Sequence, residues 1–151
     1  MFDATALGEI LIDFTPAGRS ENGFPLFEAN PGGAPANVMV ALQRLGKKTA
    51  FIGCVGKDEF GRQLANTLTA EGVDTTGLVF SDVHTTLAFV HLAENGERSF
   101  SFCRNPGADM MLRKQDVPLE IISSSRIFYF GSLSMTAGPS REAAGAALRH
   151  A

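Results

Sequence analysis

The stretch PGGAPAN, residues 31–37, decides how the rest of this chain is read. Gly32 and Gly33 permit positive φ and put no Cβ between the backbone and an approaching group. Pro35 suits the first turn of a helix, where its missing N–H has no partner to lose. Val38, Leu42 and Leu45 then recur at helical spacing, Val40 and Ala41 widen the stripe, and Gly46 offers a stop. The stretch therefore predicts a glycine turn at the positive end of a helix over 35–45, a place suited to an electron-rich ligand oxygen. An ordinary tight turn before a helix explains the same residues equally well.

Upstream, residues 4–12 read as one buried strand built on Leu7, Ile10, Leu11 and Ile12, with Gly8 and Glu9 between. Pro16 is expected to stop it. Asp13 then lies just past the strand's end, where α/β sheets usually bind ligands. A turn-forming Asp is the plain alternative. A polar loop over 17–23 leads to a short strand at 24–30. Downstream, 48–55 is apolar enough for an interior parallel strand. Asp58 is the expected N-cap of a helix running to about Glu71, with Leu64 and Leu68 on its inner face and Gly72 as its stop. Strand–helix–strand–helix order argues an α/β fold with parallel pairing.

The pattern changes at residues 85–104. Two β-rich runs, 85–93 and 97–104, flank Asn95-Gly96, the favoured two-residue hairpin turn. Pairing Glu94 with Glu97 sets Phe89 against Phe102, His91 against Phe100 and Leu87 against Arg104, all on one face. This predicts a small antiparallel sheet standing apart from the core. Arg104 then either points into an apolar-lined cleft or is solvated at the hairpin's end. Asn105 to Asp109 turns out of this sheet, a short helix is expected near 118–123, and a strand at 127–130 ends in Gly131-Ser132. Ser140 is the expected cap of a last helix over 141–150.

A content of 44% hydrophobic residues in 151 is enough for one core. A net charge of −3 gives no electrostatic case for nucleic acid or an anionic membrane. No stretch approaches the ~20 apolar residues of a membrane-spanning helix. Cys54 and Cys103 have no metal or redox spacing, which is the pattern of buried free thiols in a reducing cytoplasm. Two nucleotide motifs fail. Gly46-Lys47-Lys48-Thr49 resembles the tail of a Walker loop, but position 41 is Ala and Gly46 ends a helix. No G-x-G-x-x-G follows a strand.

GGAPANVMVALQRLG (32–46) followed by FIGCVGKDEFG (51–61) resembles the first signature of the PfkB, or ribokinase-like, carbohydrate kinases. ALGEILIDFTP (6–16), the stretch from Thr85 to Leu112 and FYFGSLS (128–134) match as well, and are closest to the fructokinases of that family. The resemblance implies a ribokinase-like three-layer α/β/α fold with a parallel central sheet and a small antiparallel β lid. The lid would be built from about 14–30 and 85–105. Family members are nearly twice as long and carry a Gly-Ala-Gly-Asp motif in their second half, whose Asp is the catalytic base. That motif is absent here, and Gly107-Ala108-Asp109 is a look-alike in another place. The expectation is the N-terminal portion of one kinase domain, with no catalytic base or metal ligand, inactive in isolation.

By the same resemblance, Asp13, Gly32, Gly33 and Asn37 would hold sugar hydroxyls. Phe89, Phe102 and Arg104 would meet the sugar from the lid, the last through the aromatic-x-Arg pattern Phe102-Cys103-Arg104. The implied activity is ATP-dependent phosphorylation of fructose to fructose 6-phosphate. ATP and Mg²⁺ would be cofactors, K⁺ a candidate third, and a homodimer would form through the lid. A 2-keto-3-deoxygluconate or ribose-type kinase and a non-catalytic sugar-binding fragment are the rival readings.

Overall fold

The computed structural model describes residues 1–92 and 97–151. Two sheets share the chain. In the first, β1 (Ala4–Leu7), β4 (Thr49–Gly56), β5 (Asp74–Ser81) and β8 (Phe128–Phe130) run parallel in the order β5-β4-β1-β8. The second contains β2 (Leu11–Arg19), β3 (Pro25–Gly32), β6 (Leu87–Leu92) and β7 (Arg98–Cys103), ordered β3-β2-β6-β7.

Helices cover both faces of the parallel sheet. Alternation along each strand sends Ala4, Ala6, Phe51 and Val55 to one side and Leu7, Ile52 and Cys54 to the other. The first group meets α1 (Ala34–Arg44) through Ala36 and Met39, and α2 (Glu59–Ala70) through Leu64 and Leu68. The second meets α3 (Leu119–Ser123) through Ile122 and α4 (Gly138–His150) through Ala143, Ala144 and Ala147. This is the expected three-layer α/β/α arrangement. Asp58 caps α2, its carboxylate accepting from the Gly61 N–H at 2.8 Å. Burial would raise the Asp58 carboxyl, but bonds from the Thr85 and Gly61 N–H groups and the Thr85 hydroxyl hold it below its ordinary value.

Five local readings change. The strand expected over 4–12 breaks at Gly8-Glu9-Ile10, so that β1 belongs to the parallel sheet and β2 to the second. Pro16 does not end β2. It pairs with Phe27 beside a bulge, beyond the Ile12–Phe14 stretch that β6 pairs, so its missing N–H leaves no ladder bond unmade. β5 escaped the sequence reading because it is an edge strand with only Gly77 and Leu78 buried. Ser140 is not a cap. α4 starts at Gly138, and the buried Ser140 hydroxyl donates to the carbonyls of Ser134 and Ala137. The second sheet is mixed rather than purely antiparallel, because β2 and β6 run parallel.

The register of β6 on β7 also differs from expectation by one residue. Leu87 pairs with Cys103, Ala88 with Phe102, Phe89 with Ser101 and His91 with Ser99. The Asn95-Gly96 turn lies outside the described residues. What orders the described part is packing beneath the strand. Phe89 stacks on Phe14 with ring centroids 4.9 Å apart and meets Phe27 edge-on at 5.8 Å. Phe14 in turn meets Phe60 of α2 at 5.7 Å. On the other face, small Ala88 stands opposite large Phe102. Cys54 is buried as expected, but Cys103 is exposed because it ends the edge strand β7. A one-residue slip exchanges the faces of a whole strand, and here it separates Phe102 from Phe89.

Candidate functional site

β1 has β4 on one side and β8 on the other, and the chain reaches them over opposite faces of the sheet. The carboxyl ends of β1 and β8 therefore flank a topological switch point, the usual ligand crevice of an open α/β sheet. Gly8-Glu9 leaves one of these ends and Gly131 the other. α1 begins at the same place, and β2 carries Asp13 out above it.

Register places the side chains of the second sheet. Asp13 pairs with Asn30 on β3 and with Ala88 on β6, and Ala88 pairs with Phe102 on β7. One face therefore carries Asp13, Thr15, Asn30, Ala88, Val90 and Phe102. Asp13 is half-buried, and its carboxylate has no hydrogen-bond or ion-pair partner among the described residues. Burial alone pushes its pKa above the ordinary carboxylate value. A part-desolvated carboxylate with all its acceptor capacity free suits a ligand bearing hydroxyl donors.

The glycine turn is shaped around this carboxylate. A Cβ on Gly32 would overlap the Asp13 carboxyl. Gly33 has φ of 107° and lies against the Glu9 carbonyl, so it is excluded to other residues on both grounds. Asn37 stands exposed one turn into α1, its N–H donating to the Gly33 carbonyl at 3.0 Å. The structure thus brings Asp13, Gly32 and Gly33 together, with Asn37 adjacent and Phe102 on the same face.

It does not bring Phe89 or Arg104 there. Phe89 points to the opposite face, into the Phe14–Phe27 cluster. Arg104 lies past the end of β7 with its side chain 13% exposed, and pairs with the fully buried Asp109 at 2.7 Å. Its Nε also donates to Asp109 at 2.9 Å, and one terminal nitrogen reaches the Leu133 carbonyl at 3.4 Å. Asp109 accepts from the Thr86 hydroxyl as well. One buried carboxylate therefore pins both feet of the β6–β7 pair to the core.

Glu9 is a residue whose place the sequence reading left open. It is 6% exposed, and its Oε2 has no partner among the described residues. Burial raises its pKa against bonds from its own N–H and that of Ala34, while the Asp109 carboxylate raises it further and Arg104 lowers it. Glu9 thus takes an N–H of the first turn of α1, the positive end that the sequence offered to a ligand. The only sequence signal was an acid inside an apolar run. Among the described residues, no group of three or more His, Cys, Asp or Glu side chains is placed to hold a metal ion.

A parallel sheet with a crevice at its switch point, overhung by a second sheet bearing a part-buried carboxylate, suits the binding of a polar small molecule. Residues 1–151 match the pfkB family carbohydrate kinase model, and the chain belongs to that family. Fructokinase-1 of Zea mays is 50% identical over 141 residues, spanning 91% of this chain and 44% of that protein. The fructokinase of Solanum tuberosum is 48% identical over the same shares to within rounding, 91% and 44%. The crystal structure of fructokinase from Xylella fastidiosa superposes with a TM-score of 0.90 at 38% identity, over 99% of this chain and 47% of that one. The same bacterial enzyme has been solved with bound ATP. The chain spans about half the length of these relatives.

Proposed function

We propose that this chain forms the sugar-holding portion of a fructokinase-type enzyme, which transfers the γ-phosphoryl group of ATP to a primary hydroxyl of fructose to give fructose 6-phosphate. The observation that carries the reading is Asp13, half-buried, unpartnered and set against Gly32 at the switch point of the parallel sheet. Phosphoryl transfer depends on holding the acceptor hydroxyl in line with the phosphoryl donor. In this reading Asp13 accepts from sugar hydroxyls, Gly32 and Gly33 let the sugar approach the backbone, and Asn37 adds an amide. Phe102 covers the sugar from the second sheet, acting as a lid. Arg104 holds the lid's feet rather than the sugar. The base, the nucleotide site and the Mg²⁺ site, with any K⁺ site, belong to parts of the fold that the relatives carry beyond the span matched here. Lid-to-lid pairing in a homodimer is supported by Phe100 and Phe102, both about half exposed at 50% and 53% on the edge strand β7.

The test is sugar binding by calorimetry on the purified protein, with D-fructose, D-ribose and 2-keto-3-deoxygluconate as ligands. D-Fructose is expected to bind most tightly. Asp13→Ala is expected to weaken it about tenfold or more, because a hydrogen bond to a charged acceptor is worth ~1.5–3 kcal/mol. Wild-type affinity in Asp13→Ala would return that residue to a structural role and remove the basis of the reading.

A further inference from the structure

Beside Asp13 the ligand face carries a second polar device that none of the expected sugar contacts includes. Asn30 stands directly across from Asp13, and Thr15 follows Asp13 on the same face. Directly paired cross-strand residues have Cβ atoms about 4.5–5.5 Å apart, within reach of one small ligand. The Asn30 amide nitrogen donates to the Thr15 hydroxyl oxygen at 2.9 Å and towards the Glu28 carbonyl at 3.4 Å. That assignment of nitrogen and oxygen follows from the partners. A backbone carbonyl only accepts, so the atom facing it must be the donor.

The bonding leaves a defined remainder. Both N–H groups of Asn30 are directed within the sheet, and among the described residues its carbonyl Oδ1 is a free acceptor. Thr15 accepts from Asn30 and donates to none of the described residues, so its own O–H proton is left for a ligand. Neither Thr15 nor Asn30 is fully buried. The three side chains therefore offer a charged acceptor, a neutral acceptor and a hydroxyl donor side by side. Asp13 alone, with acceptors only, can take a proton from any nearby hydroxyl and discriminates poorly among sugars. A donor and an acceptor fixed by a bond to each other can tell one hydroxyl configuration from another.

We propose that Asn30 and Thr15 are substrate-contacting residues that read the configuration of a ring hydroxyl, with Thr15 donating to its oxygen and Asn30 Oδ1 accepting its proton. This rests on the sugar-binding reading above and adds to it the residues that select among ketohexoses. The competing role is purely structural, a cross-strand bond that ties β2 to β3.

The experiment titrates the purified protein with D-fructose and its epimers D-psicose, D-tagatose and L-sorbose, comparing wild type with Asn30→Ala, Thr15→Val, Thr15→Ser and Asp13→Ala. Melting temperatures are recorded in parallel. Asn30→Ala and Thr15→Val are expected to weaken D-fructose about three- to tenfold and to flatten the preference over at least one epimer. Thr15→Ser, which keeps the hydroxyl, is expected to restore both. Two results overturn the proposal while leaving the sugar-binding reading intact, provided Asp13→Ala loses binding in each. In one, Asn30→Ala and Thr15→Val bind and discriminate as wild type does. In the other, affinity for every epimer falls equally along with the melting temperature, the mark of a structural tie. Wild-type affinity in Asp13→Ala, or no uptake of any sugar, overturns both the reading and the proposal.

Discussion

The two sheets treat phenylalanine in opposite ways. Phe51 in the parallel sheet is 0% exposed, locked between helices, whereas Phe102 in the second sheet is 53% exposed. β4 is buried along its whole length, while every described residue of β7 is exposed. The parallel sheet has helices on both faces, so its central strand β4 reads as a near-continuous apolar run. The second sheet has a core-facing side through Phe14 and Leu87 and another side on which Ala88 and Val90 are buried but Asp13, Thr15 and Asn30 stay partly exposed and Phe102 half exposed. The contrast teaches where stability and recognition lie. Burial in the first sheet holds the fold, and in the second the partly exposed polar side chains beside Asp13 leave hydrogen-bonding capacity at the surface.

The sharpest way to break this contrast is to make the same change in both places. Phe51→Ala is expected to cost ~3–5 kcal/mol of unfolding free energy by opening a cavity, whereas Phe102→Ala should shift stability by no more than ~0.5 kcal/mol. Urea denaturation of the two variants measures the difference, and similar losses would mean that the second sheet is as much core as the first.

The junction comes next. Asp109→Ala leaves the Arg104 guanidinium buried without its partner, and removal of one member of a buried ion pair costs ~3–5 kcal/mol. Because Asp109 also takes the Thr86 hydroxyl, amide exchange should rise along both β6 and β7. Exchange confined to β7 would show that Thr86 holds its own foot without Asp109.

Asp58→Ala removes the α2 cap and the bonds from the Thr85 N–H at 2.7 Å and the Thr85 hydroxyl at 2.7 Å. A loss of ~1–2 kcal/mol is expected from equilibrium unfolding. Unchanged stability would make the link from α2 to the start of β6 dispensable.

The smallest expected effect is at Glu9. Its folded pKa is raised above the ordinary 4.5, so the folded state binds more protons than the unfolded one over the pH range between the two values. Stability therefore falls as pH rises from 4.5 through the folded value, and the loss is complete above it. Glu9→Gln should raise the melting temperature at neutral pH and bring no gain near pH 4. A gain independent of pH would show that the Glu9 carboxyl does not titrate with folding.

The amount of this legible in the sequence varied with the range of the interaction. The α1 helix was readable from Pro35 and the spacing of its apolar residues, and α2 from Asp58, because caps and periodicity act within one or two turns. Asp13, Gly32 and Gly33 were readable as a group through resemblance and turn chemistry, although Asp13 sits within a strand rather than after one. Arg104 was misplaced because its partner Asp109 is positioned by a turn that no periodicity announces. Glu9 was not legible for a related reason: an acid in an apolar run signals something, but only the packing around it shows an oxygen without a partner among the described residues.

By itself the sequence determined the α/β class, the helix that opens at the glycine turn, the capped helix after β4 and the existence of a separate β-rich pair near 85–104. These follow from local preferences that a dozen residues suffice to express. Only the tertiary structure decided that residues 4–12 divide between two sheets, that Phe89 and Phe102 face opposite ways, and that Arg104 is a strut. Each of those depends on residues distant in the chain, and in a strand a shift of one residue moves every side chain to the other face.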